Sequence, residues 1–210
     1  MGMKGQADII SVIIIVVISL GLVSTALMWG LPLIEKRQDT VIIERVDKSF
    51  DLNSVNSLPR KIEAVAREGG QTIFTIDTRG KWYLDNQTVG ENNNSIRFSF
   101  VSSSYKVDQN IGWVPLSTGN PGPTGTLGID EPSVVFGRTD KTEEKPDIAY
   151  KVWFRELWDA AETKGYKIVL FAEGSNSSIG NSIKISRRSE PKPDLTNEKL
   201  MITEINILFG

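Results

Sequence analysis

The stretch that decides the fold runs from Ile9 to Ile34, IISVIIIVVISLGLVSTALMWGLPLI, and carries no charged residue over its 26 positions. As a helix it would be about 39 Å long, more than the ~30 Å hydrocarbon core of a bilayer. A secretory signal has an apolar region of only about 7–15 residues and ends at a small-residue cleavage site, which does not follow here. The sequence therefore predicts a helix that spans a membrane or lies in an equally apolar environment.

Small residues in the second half of this segment are spaced for close helix packing. Gly21 and Thr25 are four residues apart, as are Ala26 and Gly30, and this spacing lets helix backbones approach one another. Pro32 removes a backbone donor, so a kink or a short melted stretch is expected around it. These five residues are predicted to shape the assembly of the helix with its neighbours.

The composition excludes most enzyme chemistry. The chain has no His and no Cys, so disulfides, thiol nucleophiles, imidazole or thiolate zinc ligands and His-based triads are impossible. The carboxylate pairs Asp130/Glu131 and Glu143/Glu144 remain, but such clusters are usually solvated, and no calcium-loop motif is present. The balance of 24 Lys and Arg against 26 Asp and Glu, with no basic tract, gives no reason to expect a nucleic-acid partner. We expect a protein that is not an enzyme and uses no cofactor or metal.

Beyond the helix the sequence is typical of a β-rich domain. Ser57-Leu58-Pro59 opens a short helix that Gly69-Gly70 ends, while residues 40–46 fit either helix or strand. The turn Thr78-Arg79-Gly80 predicts a hairpin between the first two strands. Strands are predicted at Thr72–Asp77, Lys81–Leu84, Ser95–Val101, Gly112–Leu116, Ser133–Arg138, Ile148–Phe154, Tyr166–Ala172, Ser182–Arg187 and Lys199–Leu208. The predicted fold class is α+β, a long N-terminal apolar helix followed by an antiparallel β-sandwich head.

Two features of the head fit either a binding role or an ordinary structural role. The segment Ser117–Gly128 has four Gly and two Pro in twelve residues and is predicted to be a surface loop, since no Lys-Ser/Thr of a phosphate cradle follows it. Aromatic residues could line a sugar-binding groove, but packing in the core is the preferred interpretation. They are Trp82, Tyr83, Trp153, Phe154 and Trp158.

Three N-x-[ST] sequons lie in predicted turns and are candidate N-glycosylation sites. Their acceptors are Asn86, Asn93 and Asn176. They favour an external head. The count of positive charges alone favours a cytoplasmic head, because only Lys4 precedes the span while Lys36, Arg37 and Arg45 follow it.

The amino terminus, Met1-Gly2-Met3-Lys4-Gly5-Gln6-Ala7-Asp8 directly before the apolar helix, resembles the leader junction of type IV pilin precursors. The likeness is greatest to the archaeal pilin and archaellin-like group, which has class III signal peptides, and it covers roughly the first forty residues. It implies that a prepilin peptidase cuts after Lys4-Gly5, so that the mature chain begins at Gln6. Many pilins carry Glu at the fifth mature position, which is Ile10 here. Asp8 is the nearby acid, and the freed amine of Gln6 is its expected partner.

The resemblance implies a lollipop-shaped domain plan and a structural function. Residues 1–5 would form the leader, 6–48 the hydrophobic helix and 49–210 the head. The expected function is that of a subunit of an archaeal type IV pilus-like filament at the cell surface, used in adhesion or motility. Its partners would be copies of itself, the prepilin peptidase and pilus assembly machinery, and membrane lipid before assembly. The alternative is a single-span membrane-anchored protein whose external β-sandwich binds a ligand or partner, as in a stator-like or receptor component.

Overall fold

The computed structural model describes residues 3–85, 94–102, 112–117, 121–140 and 145–210, with the backbone alone at 3–10, 35 and 36. Two helices come first, α1 (Met3–Phe50) and α2 (Leu58–Glu68). The described strands are β1 (Gln71–Asp85), β2 (Ser95–Val101), β3 (Val114–Pro115), β4 (Thr124–Thr126), β5 (Ser133–Asp140), β6 (Asp147–Phe154), β7 (Glu156–Trp158), β8 (Gly165–Ala172), β9 (Ser177–Arg187), β10 (Lys192–Pro193) and β11 (Leu200–Phe209). This order of elements confirms the α+β class. The chain divides into two compact units, Met1–Val41 and Ile42–Gly210.

Helix α1 is continuous through Pro32, so the melted stretch predicted around this residue is wrong. Proline costs the helix one backbone hydrogen bond, and a helix of this length retains its bonds on either side. Residues 40–46, for which the sequence fits either helix or strand, are helical. Ile43 and Val46 are both buried. They lie on one face of a helix because they are three residues apart, whereas a strand would direct them to opposite faces.

Helix α2 follows from its local sequence. Pro59 occupies the first turn, where its missing N–H has no helical partner to lose. Ile62, Val65 and Ala66 form the buried face. Gly69, with φ of 81°, ends the helix and donates its N–H to the carbonyl of Val65 over 2.9 Å. The predicted short helix is therefore confirmed at this position.

The described strands belong to one sheet. Its order is β3-β5-β6-β2-β1-β9-β11-β8-β7-β4, with β10 paired to β11 beside this path. The predicted sandwich of two sheets is not confirmed, because the single sheet curls as a half-barrel. Alternation of apolar and polar residues predicts which face of a strand is buried. It cannot tell whether the buried faces belong to two sheets or to one sheet that curves around its own core.

Two strand pairs are parallel, which corrects the prediction of an antiparallel head. They are β8 with β11 and β4 with β7, and the other pairs are antiparallel. Strand β11 is internal, with β8 on one side and β9 and β10 on the other. The C-terminal strand thus pairs within its own sheet along both edges.

Strand β1 replaces the predicted hairpin. The backbone passes through Thr78-Arg79-Gly80 without turning, and β1 pairs with both β2 and β9. The register with β9 shifts between Thr75 and Gly80, so the supposed turn residues form a bulge that bends the strand. At Gly80 a Cβ atom would lie 2.4 Å from the carbonyl oxygen of Ser99. Glycine is needed here for the close approach of two backbones, not for a turn.

The core contains apolar side chains from one face of the sheet, together with those of α2 and of the end of α1. Trp82 and Phe154 are fully buried in it, as predicted, and the Trp82 ring centroid lies 4.5 Å from that of Phe98. Trp153 and Trp158 are only partly buried. The largest buried side chains are Trp82, Tyr150, Phe50, Phe98, Lys151, Phe154, Leu58, Ile62, Ile76, Leu84, Ile96 and Ile148.

The side-chain amide of Asn94 links two strands that do not pair with each other. Its Nδ2 donates to the carbonyl of Phe154 at the end of β6 (2.9 Å) and to that of Ile168 in β8 (2.5 Å). Its Oδ1 accepts from the N–H of Leu170 over 2.8 Å. Asn94 has φ of 66°, a conformation that Asn tolerates better than most residues. One buried amide thereby satisfies three backbone groups of two strands that do not pair with each other.

The predicted surface loop Ser117–Gly128 contains a short strand in its described part. Strand β4 lies within it and pairs with β7. The buried guanidinium of Arg155 donates to the carbonyl of Gly122 over 3.2 Å, and the N–H of Thr126 donates to Asp130 over 2.7 Å. These contacts hold a Pro/Gly-rich segment against the sheet, although its composition disfavours regular structure.

Candidate functional site

The apolar surface of α1 is the most distinctive feature of the chain. Within Ser11–Phe50 an 18-residue window reaches a mean hydropathy of 2.6, and none of it is buried. By length and composition this is the one helix among the described residues that is able to cross a membrane. Its exposed large apolar side chains include Val12, Ile13, Ile14, Ile15, Val16, Val17, Ile18, Leu20, Leu22, Val23, Leu27, Met28, Trp29, Leu31, Leu33 and Ile34.

The small residues of α1 form two stripes. With about 100° between successive residues, Gly21 and Thr25 lie on one side of the helix, and Ala26 and Gly30 lie about 140° further around its axis. A Cβ atom at Gly21 or Gly30 would meet nothing within 4 Å. Thr25 donates its hydroxyl to the carbonyl of Gly21 over 2.8 Å, which satisfies its polar atom inside the helix. Both stripes are therefore open to a close-packed neighbour.

The predicted leader junction lies at the start of α1. Lys4, Gly5, Gln6 and Asp8 all have helical backbone, because α1 begins at Met3. A protease that binds its substrate in an extended form must first unwind this turn. Gly5 lowers the cost of that step, since glycine is among the poorest helix formers.

Of the three sequons, the one at Asn176 is described completely. Asn176 is exposed in the bend between β8 and β9, and its carbonyl accepts a hydrogen bond from the N–H of Leu84 over 2.8 Å. Asn86 and Asn93 lie outside the described residues. The second and third residues of the Asn93 sequon, Asn94 and Ser95, are described and buried.

Sequence reasoning missed an aromatic–cation stack on the face of the sheet opposite to the core, here called the Trp113 stack. The Arg97 guanidinium lies 5.3 Å from the ring centroids of both Tyr83 and Trp113. The Lys151 Nζ lies 4.8 Å from the centroid of Trp113 and 4.7 Å from that of Phe136. Arg97 and Lys151 are direct cross-strand partners on β2 and β6. The available signal was a single cation, Arg97 or Lys151, between apolar residues in each of the two strands.

The Trp113 stack concentrates positive charge. Arg138 also lies over Trp113, at 5.1 Å, and Lys151 is only 2% exposed. Burial, with added repulsion from Arg97 and Arg138, lowers the pKa of Lys151 to about 8. Attraction to the aromatic faces opposes this repulsion and holds Trp113 on the sheet.

A groove of about 530 Å³ lies in the unit Ile42–Gly210, beside the end of α1. Arg60 dominates its polar side, donating to both carboxylate oxygens of Glu131 over 2.8 Å and to Glu63 over 2.9 Å. The groove is lined by Asp47, Lys48, Phe50, Asp51, Leu52, Asn53, Arg60, Leu116, Ser117, Ile129, Glu131 and Val135. Arg60 and Glu131 of the groove are thus already paired within the protein.

The carboxylates singled out from the sequence do not form a catalytic pair in the described structure. Asp130 faces Arg155 at 3.7 Å and Glu131 pairs with Arg60, so each acid has its own arginine. Glu143 and Glu144 lie outside the described residues. Burial raises the pKa of Glu63 despite its contacts with Arg60 and Ser133. Among the described residues no group of three or more acids is placed to hold a metal ion.

Comparison with known proteins identifies no relative of this chain. No family model, curated protein or solved structure matches the chain.

Proposed function

We propose that this protein is a structural subunit of an archaeal type IV pilus-like surface filament, assembled through α1. The observation that carries the proposal is the apolar window of α1, none of which is buried. Removing apolar surface from water is worth roughly 25 cal/mol per Å². A helix of this kind must therefore lie in lipid or pack against other protein, and copies of itself supply the second environment.

The two small-residue stripes support a polymer better than a closed dimer. A helix with Gly21/Thr25 on one side and Ala26/Gly30 on the other offers two close-approach surfaces. If each surface packs against a different copy, the contact repeats without closing and generates a helical array. Asp8 would be neutralised by the amine that cleavage frees at Gln6. The heads would then be exposed at the cell surface.

The test of the proposal is to isolate fibres. Surface structures sheared from cells should contain this chain, and limited proteolysis should remove the head while leaving residues 9–34 protected. A control preparation from cells that lack the prepilin peptidase should yield the chain only in the membrane fraction. Recovery of the chain solely as a detergent-extracted monomer, under every growth condition, would contradict the proposal.

A second candidate function is that of a single-span membrane-anchored binding protein. The length and composition of α1 suit a lipid anchor equally well. The groove beside the end of α1 gives the head a concave surface for a ligand or partner. An anchored protein would keep Met1 and would remain monomeric in detergent, so the fibre preparation separates the two candidates.

A further inference from the structure

Arg97, at the centre of the Trp113 stack, is held in place without a carboxylate of its own. Its guanidinium lies 5.3 Å from the ring centroids of both Tyr83 and Trp113, so two rings fix its position. Among the residues that the structure describes, none forms a hydrogen bond or an ion pair with this side chain. Several other arginines of the head face an acid, as Arg188 faces Glu204 at 3.9 Å. A guanidinium carries five N–H donors, so Arg97 retains the capacity to bind an anion from outside the chain.

The charges around Arg97 leave its own positive charge uncompensated. Arg138 pairs with Asp140. Burial lowers the pKa of Lys151, and repulsion from Arg97 lowers it further by more than Asp85 raises it. The other charged residues on this face of β1, β2, β5 and β6 are Lys81, Asp85, Arg138, Asp140, Asp147 and Lys151. An anion bound at Arg97 would reduce the repulsion among the three cations of the stack.

Tyr83 offers an aromatic surface beside Arg97. The two residues are direct cross-strand partners, and Tyr83 is 37% exposed. Polar groups flank the ring on the same face, since the exposed Lys81 lies two residues before it on β1 and Ser177 is its cross-strand partner on β9. Tyr83 is also one of the residues for which the sequence fits either a sugar-binding groove or the core. Unlike its buried neighbour Trp82, it lies on the face away from the core and can contact a ligand.

We propose that the Trp113 stack binds the carboxylate of an acidic sugar, a hexuronate. The planar guanidinium of Arg97 donates two parallel N–H bonds to the carboxylate oxygens. A C–H face of the sugar ring lies on Tyr83, and Lys81 and Ser177 are placed to bond its hydroxyl groups. Because Tyr83 and Trp113 hold the guanidinium before a ligand arrives, little conformational freedom is lost on binding.

The charge and shape of this surface favour a sugar acid over three related ligands. A phosphate monoester carries a charge of about −1.5 to −2 at pH 7, more than the single uncompensated charge of Arg97. It would also meet repulsion from Asp85 and Asp140, which lie on the same face. A neutral sugar would leave Arg97 without an anion, and a small carboxylate would leave Tyr83 uncovered.

Titration of the full chain in detergent micelles tests the proposal. The titration requires no filament, so a failure of the proposed function would leave its result unchanged. Glucuronate, glucose, acetate and glucose 6-phosphate are added at constant ionic strength, and isothermal titration calorimetry measures each dissociation constant. Glucuronate should bind at least about tenfold more tightly than each of the others, because it alone combines a carboxylate with a sugar ring.

The same titration defines the results that would overturn the proposal. Absence of glucuronate binding would do so. Similar binding of acetate would show that the site recognises a carboxylate alone, and similar binding of glucose would show that Arg97 is not used. Equal or tighter binding of glucose 6-phosphate would assign the site to phosphate esters.

Three variants identify the residues that bind. Arg97→Gln removes the charge and should weaken glucuronate binding by at least about tenfold, whereas Tyr83→Leu removes only the aromatic contact and should weaken it about threefold or more. Arg188→Gln is the matched control and should bind normally, because Arg188 also lies over a ring, that of Phe171 at 4.5 Å, but faces Glu204. Wild-type affinity in a folded Arg97→Gln protein would overturn the proposal. Circular dichroism verifies folding; if Arg97→Gln does not fold, Tyr83→Leu and the four ligands on the wild type decide.

Discussion

The ring of Phe50 lies almost parallel to that of Tyr150, with centroids 4.8 Å apart and planes at 9°. The Tyr150 hydroxyl donates to Oδ1 of Asp47 over 2.5 Å, and burial together with this bond raises the pKa of the phenol. Asp47 and Phe50 are three residues apart in α1 and so share a face. With Ile43 and Val46 also buried, the last turns of the long helix belong to the core of the head.

A fragment of residues 42–210 should fold as a soluble β-rich domain, and a fragment that begins at Asp51 should be much less stable. The shorter fragment loses Ile43, Val46 and Phe50, each worth roughly 1.5–3 kcal/mol when buried. We expect its free energy of unfolding in urea, followed by far-UV circular dichroism, to fall by about 5 kcal/mol or more. Phe50→Ala in the longer fragment should give an intermediate value. Equal stability of the two fragments would contradict the assignment of this turn to the core.

Gly80→Ala should destabilise the head because the new methyl would meet the carbonyl oxygen of Ser99 and the ring of Phe98. Overpacking of this kind costs typically 1–3 kcal/mol, about several degrees in melting temperature. Gly137→Ala is the control, since its methyl would touch only the flexible end of Leu116, at 3.0 Å. A Gly80 variant that melts with the wild type would show that β1 can bend without glycine.

The stability of the head should rise between about pH 8 and pH 10 through Lys151. Its folded pKa is lowered from 10.5 to about 8, so in this range the unfolded chain binds a proton that the folded chain has released. Stability increases with pH wherever the unfolded state binds more protons. Lys151→Met should remove this increase and make the head more stable at neutral pH. Urea unfolding at pH 7, 8, 9 and 10 measures both effects, and parallel pH profiles for the two proteins would argue against a lowered pKa.

The mature protein should begin at Gln6, as mass spectrometry of its amino terminus can establish. Gly5→Leu should stay unprocessed in the membrane, because the bulky side chain hinders entry of the chain into a protease cleft. Lys4→Ala should slow cleavage by weakening attraction of the leader to the anionic cytoplasmic face. An intact Met1 would favour the anchored alternative. A start beyond Ile34 would identify the segment as a secretory signal.

The double variant Ala26→Leu and Gly30→Leu should lower the yield of fibres by at least about tenfold, since it blocks close approach of helix backbones. The open space at Gly30 in the single chain means that the precursor itself should be unaffected. Met28→Leu, a swap of similar volume at an exposed position, is the control and should assemble normally. If the double variant gave as many fibres as the wild type, the small residues would not be part of the packing surface.

Most strand positions in the head were predictable because one face of each strand is buried. Ser95–Val101 was predicted with the bounds that the structure shows, since Ile96, Phe98 and Phe100 alternate with polar residues. The turn at Thr78-Arg79-Gly80 was wrong for a physical reason. A Gly after two polar residues fits a hairpin and a bulge equally well, and only the position of Ser99 on the neighbouring strand distinguishes them.

The apolar helix was predictable from its lack of charged residues alone. The contacts that organise the head were not predictable. The Trp113 stack joins residues from β1, β2, β5 and β6, and the Asn94 amide reaches β8, which lies more than seventy residues away. Such contacts can be predicted only when the strand order is known, and the strand order was not predicted. Even so, a polar residue directly before a predicted strand is a recognisable signal for a side chain that bonds to backbone.

The internal position of β11 determines when this protein can fold. Strands β8 and β9 flank β11, which the ribosome makes after the other described strands, so the sheet stays open at this position until Phe209 has been synthesised. Contacts of such sequence separation form slowly, and an incomplete sheet presents unpaired backbone to other chains. The sheet of the head can therefore close only after β11 has left the ribosome, and until then the facing edges of β8 and β9 have no partner strand between them.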